Sequence, residues 1–323
     1  MRRRVFRISG LALGAGVLAG AVTGVASAPA AAPKANLSAT LTASVRSQAH
    51  TPNPRTVNVK HASLAYLRAQ AADHTMSSLP SHQATSVTPS AVPLMSSTAK
   101  PATSASSAAA AATGPVYGLD VSAFQGAVDW SAVKSEGAQF AYIKAVEGSY
   151  YVNPEFTQQY DGSYDAGLVR GVYTFAIPNY SSGATQADYL LAHGGGWSAD
   201  GKTLPAALDI EYNPYAGNEC FNLSQASMRS WITSFLDTYH SRTTRWPVIY
   251  STTNWWETCT GNWSGPSAND PLWIACYCDS AGALPAGYNF YTFWQFADSG
   301  TFPGDQDVFN GDAARLTALA KNT

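Results

Sequence analysis

Residues 33–114 contain no tryptophan, phenylalanine or cysteine, and their only tyrosine is Tyr66. A segment without large apolar side chains cannot bury enough surface to offset the entropy lost when a chain becomes ordered. Its residues are mostly Ala, Ser, Thr and Pro. We therefore predict a disordered propeptide or linker over residues 33–114, mainly a solvated spacer. One short stretch, residues 61–72, has a pattern that also fits a helix.

Acidic residues are almost absent from the start of the chain. Residues 1–114 hold 10 Lys/Arg and 1 Asp/Glu, which leaves 9 Lys/Arg and 20 Asp/Glu in residues 115–323. An acidic domain binds nucleic acid poorly because phosphates need neutralising cations, so we expect no nucleic-acid partner. All nine tryptophans lie after residue 115, so a sizeable apolar core can form only there. We predict one folded domain over residues 115–323, whose aromatic side chains suit sugar rings.

Long hydrophobic runs are lacking except near the N-terminus. Arg2, Arg3 and Arg4 precede an apolar stretch over residues 8–25, and small residues follow. This order predicts a secretory signal peptide over residues 1–32, and the basic pair also resembles a twin-arginine signal. The alternative is a membrane anchor, although the stretch is weakly hydrophobic for a spanning helix. We expect a secreted protein that has no membrane association once the signal is removed.

Alternating strand and helix patterns begin near residue 116. Strands are predicted at 117–122, 140–146, 168–176, 204–210, 247–251, 272–277 and 291–296. Helices are predicted at 130–136, 154–166, 184–192, 224–240 and 312–320, with Asp129, Asn153 and Ser224 as N-caps. This alternation indicates the α/β class with mostly parallel strands. Because the last strands lack helices between them, we predict an irregular TIM-like β/α barrel with a single catalytic domain.

Histidine and cysteine are scarce in the predicted domain. His193 and His240 are its only histidines, and neither has metal-ligand spacing to the cysteines, so we expect no metal site. In an exported chain disulfides are allowed. Cys220 and Cys259 lie in loops after two neighbouring barrel strands, and we predict that they form a disulfide at the rim. Cys276 and Cys278 lie in an apolar run that looks like a strand, and we expect them to be free thiols.

Acidic residues recur at the C-terminal ends of predicted strands, which is where barrel active sites lie. Asp120 and Glu147 end two strands, and Asp209 and Glu211 end a third in a D-x-E pattern. Residues i and i+2 of a strand face the same side, so both carboxylates of this pattern can act on one small molecule. One can donate a proton while the other supports a developing positive charge, as glycoside hydrolysis requires. The alternatives are a solvated acidic strand end or a structural calcium site.

Aromatic side chains lie near the same predicted cleft. They are Tyr173, Phe175, Tyr212, Tyr250, Trp273 and Trp294. For each one alone, packing in the barrel core is the simpler explanation. Trp255, Trp256 and Trp263 fall in a predicted loop, where they either form a rim or pack beneath the loop.

Residues 116–320 resemble family 25 of the glycoside hydrolases, the Chalaropsis-type lysozymes, in particular those of streptomycetes. The segments that carry the resemblance occur in the family's order: GLDVSAFQGAVDW (118–130), FAYIKAVEG (140–148), AGLVRGVYTFA (166–176), LPAALDIEY (204–212), PVIYS (247–251), PLWIACY (271–277), FWQFADSG (293–300) and PGDQDVFNGD (303–312). The resemblance implies that Asp120, Asp209, Glu211 and Asp305 are the active-site acids, with Glu211 as general acid. It also places further residues in the cleft: Glu147, Tyr173, Tyr250, Trp273 and Gln295. Asp307 stands where the family usually has Asn, and Thr174, Val146 and Cys276 are further departures.

The resemblance implies a secreted N-acetylmuramidase that acts on the glycan strands of peptidoglycan. It would cut the β-1,4 bond from N-acetylmuramic acid to N-acetylglucosamine with retention, and the substrate's own acetamido oxygen would act as nucleophile. Direct attack by Asp209 is the open alternative. No cofactor is implied, and we expect a monomer. Rival interpretations are a chitinase-like hydrolase and a non-catalytic glycan-binding barrel. For residues 33–114, a basic tether to anionic cell-wall polymers is the alternative to a solvated spacer.

Overall fold

The computed structural model describes residue 55, residues 57–71 and residues 114–323. The predicted signal peptide, residues 1–32, lies outside these described residues, as does most of the segment 33–114. Among the residues that are described, no helix combines the length and the apolar character needed to cross a bilayer.

A closed barrel of eight strands forms the domain, and a short ninth strand pairs with the C-terminal end of one barrel strand. The strands are β1 (Val116–Val121), β2 (Phe140–Glu147), β3 (Tyr151–Val152), β4 (Val169–Phe175), β5 (Ala207–Asp209), β6 (Val248–Ser251), β7 (Leu272–Ala275), β8 (Phe293–Ala297) and β9 (Asp305–Phe309). The barrel order is β1, β2, β4, β5, β6, β7, β8, β9, and β9 pairs with β1 to close it. Strand β9 runs antiparallel to both neighbours. The predicted irregular TIM-like barrel is confirmed.

Alternation along the strands divides the core into two layers. Phe140 and Tyr142 of β2 belong to the cluster that fills the barrel, together with Trp273 and Phe293. Ala141 of β2 instead belongs to a cluster on the outside of the barrel. Successive strand residues point to opposite faces, and this accounts for the division. The barrel is filled by aromatic rings up to the level at which its acidic residues begin.

Seven helices are described: α1 (Leu64–Ala71), α2 (Trp130–Ser135), α3 (Phe156–Asp165), α4 (Gly183–Ala192), α5 (Gln225–Thr243), α6 (Thr253–Thr260) and α7 (Ala313–Lys321). The N-caps Asp129 and Ser224 accept backbone N–H groups as predicted. The predicted cap of α3 is wrong. Asn153 opens a turn before the helix by accepting the Glu155 amide, and Glu155 is the N-cap.

The predicted loop after β6 contains helix α6. Thr252 caps it by accepting the Trp255 amide, and Gly261 ends it in the left-handed conformation. Trp255 and Trp256 are buried, so these rings pack beneath the surface instead of forming a rim.

Both pairs of cysteines are oxidised. The predicted Cys220–Cys259 disulfide is confirmed, and it joins the loop after β5 to α6. The expectation of free thiols at Cys276 and Cys278 is wrong, because these two residues form a second disulfide. Strand β7 ends at Ala275, so both cysteines lie beyond it, and their Cα atoms approach to 5.2 Å. A regular strand would hold them about 6.6 Å apart, near the upper limit for a disulfide.

Residues 57–71 depart from the predicted solvated spacer. They include helix α1, and Val59, Leu67 and Ala71 are buried in one cluster with residues of the barrel domain. The sequence pattern at 61–72 was therefore a helix signal, although the helix begins three residues later.

Candidate active site

The predicted acids converge at the C-terminal end of the barrel. Asp120 lies near the end of β1, Glu147 ends β2, and Asp209 ends β5. Asp305 begins β9, and the antiparallel direction of this strand places it opposite Asp120. Phe175, Asp209 and Tyr250 are cross-strand partners at one level. The barrel therefore gathers acids from four strands around one opening.

Asp209 lies in the middle of this group. Its side chain is 0% exposed, and neither carboxylate oxygen has a hydrogen-bond donor among the described residues. Burial raises the pKa of Asp209 well above its usual value, the charge of Lys144 acts in the opposite direction, and Asp120 and Glu147 raise the pKa further. A carboxyl group in this setting is poised to interact with a bound molecule.

Glu211 lies two residues beyond Asp209 and is 1% exposed. Its negative charge acts on two buried tyrosine hydroxyls. The pKa of Tyr173 is raised by burial and then by the negative charges of four acids: Asp120, Asp209, Asp305 and Glu211. The pKa of Tyr250 is raised by burial first and then by Glu211. The Tyr173 hydroxyl has no hydrogen-bond partner among the described residues. The charges of all four predicted catalytic acids therefore act on the Tyr173 hydroxyl.

A hydrogen-bonded network organises the acids of β1 and β9. The Gln295 amide on β8 donates to Asp120 at 2.8 Å and to Asp305 at 3.1 Å. Its carbonyl oxygen accepts from the hydroxyl of Tyr250 at 2.7 Å and from that of Tyr277 at 3.1 Å. Burial raises the pKa of Asp120 to about 7, although its hydrogen bonds with Gln295 and Asp307 lower it. Gln295 therefore holds two acids at fixed positions.

Asp307 lies deeper in the barrel than Asp305, because its cross-strand partner on β1 is Gly118. Its carboxylate accepts the Trp273 indole N–H at 2.9 Å. Burial raises the pKa of Asp307 well above its usual value, and the charges of Asp120 and Asp305 add to this. Asp305, the residue nearer the opening, is therefore better placed to meet a ligand.

Glu147 is held by three donors. Its carboxylate accepts from the Lys144 ammonium at 2.8 Å, from the Tyr150 hydroxyl at 2.6 Å and from the Tyr215 hydroxyl at 2.8 Å. Lys144 is fully buried, and its Nζ lies 5.2 Å from the centre of the Phe175 ring. Glu147 therefore binds three protein donors, and its contact with a substrate stays a prediction.

Sequence reasoning did not identify Lys144, Tyr150, Tyr215 or Tyr277 as parts of the site. The sequence does contain an indication that Lys144 is special, because it is the only cation in the otherwise mostly apolar strand FAYIKAVE. A cation on a buried strand needs a partner. The positions of Tyr150 and Tyr215 depend on loops that the strand pattern does not specify. Tyr212 lies near the site, and its hydroxyl donates to Asn254 at 3.0 Å.

Within the described part of the chain, no cluster of three or more His, Cys, Asp or Glu residues has an arrangement that suits a metal ion. The chemistry available at this opening comes from carboxyl groups, tyrosine hydroxyls and one buried ammonium group.

Residues 119–305 match the model of the family described as Glycosyl hydrolases family 25. The chain belongs to family 25 of the glycosyl hydrolases. Lysozyme M1 of Streptomyces globisporus is 51% identical over 65% of this chain and 73% of its own length. The N,O-diacetylmuramidase of a Chalaropsis species is 43% identical over 64% of this chain and 99% of its own. The solved muramidase of Acremonium alcalophilum is 51% identical, with a TM-score of 0.63 over 64% of this chain and 100% of that one.

As a member of this family, the protein is an enzyme that cleaves glycosidic bonds. Its cluster of acids contains the groups that this reaction needs. One carboxyl group must deliver a proton, and negative charge must face the sugar ring as positive charge develops on it. Asp209 and Glu211 are separated by one residue at the end of β5, and Asp120 and Asp305 lie across the opening.

Proposed function

We propose that this protein is a secreted N-acetylmuramidase that hydrolyses the β-1,4 bond between N-acetylmuramic acid and N-acetylglucosamine in peptidoglycan. The observation that carries the proposal is the pair Asp209 and Glu211 at the end of β5, where Asp209 is buried and neither of its oxygens has a protein donor among the described residues. Relatives that are 43% and 51% identical bear the names of a muramidase and a lysozyme.

Glu211 acts as the general acid in this proposal. It lies two residues beyond Asp209 at the C-terminal end of β5, where we place its carboxyl group next to the glycosidic oxygen. A general acid must keep its proton until the leaving oxygen takes it, and neighbouring negative charge is one physical means of holding that proton. General acid catalysis of this kind typically contributes about 10²–10⁴-fold to the rate.

Asp209 orients the substrate's acetamido group. Both of its oxygens lack protein donors among the described residues, so they can accept a hydrogen bond from the acetamido N–H. The acetamido oxygen attacks the anomeric carbon as the glycosidic C–O bond breaks and Glu211 protonates the leaving oxygen. Water then attacks the same carbon and opens the resulting ring while the Glu211 carboxylate takes its proton, which gives retention overall. Lys144 limits the rise in the pKa of Asp209, so the carboxyl group can gain negative charge as the sugar becomes positive.

Asp120 and Asp305 stabilise the developing positive charge from the opposite side of the opening. The Gln295 amide donates hydrogen bonds to both carboxyl groups, and the Tyr250 hydroxyl donates to Gln295. Asp307, Trp273 and Phe175 are buried and support the floor of the cleft, while Tyr173 and Tyr212 are proposed substrate contacts. We propose Glu147 as the residue that positions Lys144 beside Asp209.

The signal-like N-terminus and two disulfides support an extracellular location. Peptidoglycan glycan strands are the proposed partner, the enzyme acts as a monomer, and no cofactor, nucleic acid or membrane takes part. Sequencing the N-terminus of protein recovered from culture medium tests the signal peptide, and sedimentation tests the monomer.

Digestion of purified bacterial cell walls tests the proposed bond. We expect turbidity to fall and mass analysis to reveal fragments with muramic acid at the new reducing ends. Fragments with glucosamine at the reducing ends, or release from chitin alone, would replace the proposal with a different glycosidase. Binding to walls without any product would indicate a non-catalytic barrel.

A further inference from the structure

Residues 57–71 make polar contacts with two separate loops at the acidic end of the barrel. The backbone oxygen of Val57 accepts the amide N–H of Ala216, in the loop after β5. The guanidinium of Arg68 donates to the backbone oxygen of Tyr150 at 2.9 Å, in the turn after β2. Strand β4 lies between β2 and β5 in the barrel. A segment bonded on both sides of β4 therefore spans part of the opening.

The end of this segment reaches the acid cluster itself. The backbone oxygen of Ala71 accepts from the Lys144 ammonium at 2.8 Å. The same ammonium group binds Glu147 at 2.8 Å, and its charge acts on Asp209. Ala71 thus occupies a hydrogen-bonding position on a group that belongs to the site.

Apolar packing holds the segment in place. Leu67 is 0% exposed, whereas Leu64 on the same helix is 50% exposed, so α1 has one buried face. Val59, Leu67 and Ala71 share a buried cluster with Tyr150, Tyr151, Phe175, Tyr212 and Tyr215. Tyr212 is next to Glu211 in the sequence, and the Tyr150 hydroxyl binds Glu147. The cluster that fills the barrel contains no residue of the segment, so the barrel interior is packed without it.

The opposite charges of residues 57–71 and of the barrel opening favour docking of the segment. Residues 57–71 contain Lys60 and Arg68 and no acidic residue, whereas the opening carries the acids described above. Asp120, Asp209 and Glu211 are each at most 2% exposed with the segment in place. A polymeric glycan needs a long open cleft to reach these acids.

We propose that residues 57–71 are an autoinhibitory segment that occupies the β2 to β5 side of the cleft and must move away before a glycan strand can bind. The inference rests on the proposed function in taking this cleft as the glycan site. The segment and the glycan compete, so the apparent affinity for glycan is reduced by the fraction of molecules in which the segment is docked.

Two aspartate substitutions on helix α1 of the full chain test the proposal. Leu67→Asp places a charge in the buried interface, and Leu64→Asp places the same side chain on the exposed face as a matched control. Loss of the buried leucine contact should undock the segment, since burial of a leucine side chain contributes substantially to docking. We expect Leu67→Asp to bind a soluble peptidoglycan glycan fragment at least about tenfold more tightly than the wild-type chain. Leu64→Asp should bind as the wild type does.

Binding is measured by calorimetry, and wall hydrolysis is measured on the same samples. Thermal unfolding checks that both variants retain a folded domain. Equal affinity in all three proteins, or no binding by any of them, would overturn the autoinhibitory role. If Leu67→Asp binds more tightly but no form of the protein cuts walls, the proposal stands and the muramidase function fails. If Leu67→Asp lowers the unfolding temperature of the whole domain and does not tighten binding, the segment is a structural part of the fold and the proposal is wrong.

Discussion

Lys144 is the residue on which the charge balance of the site depends. It is fully buried and pairs with Glu147 at 2.8 Å, and its charge opposes the rise in the pKa of Asp209. Removing one member of a buried ion pair leaves the other charge without compensation, which costs about 3–5 kcal/mol. The pair therefore makes a stability contribution that can be separated from catalysis.

We expect Lys144→Met to lower the free energy of unfolding by about 3–5 kcal/mol in urea titrations. The double variant Lys144→Met with Glu147→Gln should recover part of this loss, because it leaves no uncompensated carboxylate. A double variant as unstable as the sum of the two single variants would show that the two side chains act independently.

At the residue scale, the sequence was sufficient to predict where the acids lie but not which groups hold them. Asp120, Asp209, Glu211 and Asp305 lie where strand ends and the family resemblance place them. Tyr150 and Tyr215 reach Glu147 from loops whose paths depend on tertiary packing. No local pattern encodes such contacts.

At the element scale, each element that the sequence analysis missed or placed wrongly has an identifiable physical reason. Strand β9 contains Asp305 and Asp307, and two acids in five residues conceal a strand that faces a polar site. Helix α6 is rich in Thr and Trp, which are modest helix formers, so its cap and packing decide its conformation. Strand β7 is shorter than its apolar run, and the residues beyond it form the second disulfide.

The turn before β7 contains a buried carboxyl group that makes stability depend on pH. Burial raises the pKa of Asp270 to about 8, and the charge of Asp237 adds to the rise. An unfolded Asp has a pKa near 3.9, so between about pH 4 and pH 8 the folded protein holds a proton that the unfolded chain has released. The stability from this group is therefore complete below about pH 4 and decreases as pH rises towards 8.

We expect Asp270→Asn to remove this dependence. The variant should be more stable than the wild type at pH 8, and the difference should shrink by up to about 1.4 kcal/mol for each pH unit as pH falls towards 4. Unfolding free energies measured at several pH values check the slope. Asp237→Asn is the control and should have a smaller effect, because Asp237 is exposed and is the secondary cause. An unchanged slope in Asp270→Asn would place the proton elsewhere.

At the scale of the whole molecule, composition indicates a division between an N-terminal segment and the domain, and this division stays a prediction. The change from a basic, tryptophan-free segment to an acidic, aromatic domain occurs near residue 115, and β1 begins at Val116. The docking of residues 57–71 was not predictable, because a few apolar side chains in a polar segment become informative only beside a surface that fits them.

A chain of residues 115–323 should fold and cleave cell walls without assistance, because the barrel closes through β1 and β9 within these residues. Circular dichroism and wall clearing measure the two properties. Activity equal to or above that of the full chain is expected. An insoluble or inactive product, obtained while the full chain is active, would make the N-terminal segment necessary for folding.

The most direct test of the central claim compares Glu211→Gln with Glu257→Gln, an exposed glutamate on α6. Initial rates of reducing-end release from purified walls are measured, and circular dichroism verifies the fold. We predict that Glu211→Gln lowers the rate by about 10²–10⁴-fold with the fold intact, because the amide cannot supply the proton that the leaving oxygen needs. Glu257→Gln should retain the wild-type rate. A folded Glu211→Gln variant with nearly wild-type activity would contradict the assignment of Glu211 as the general acid.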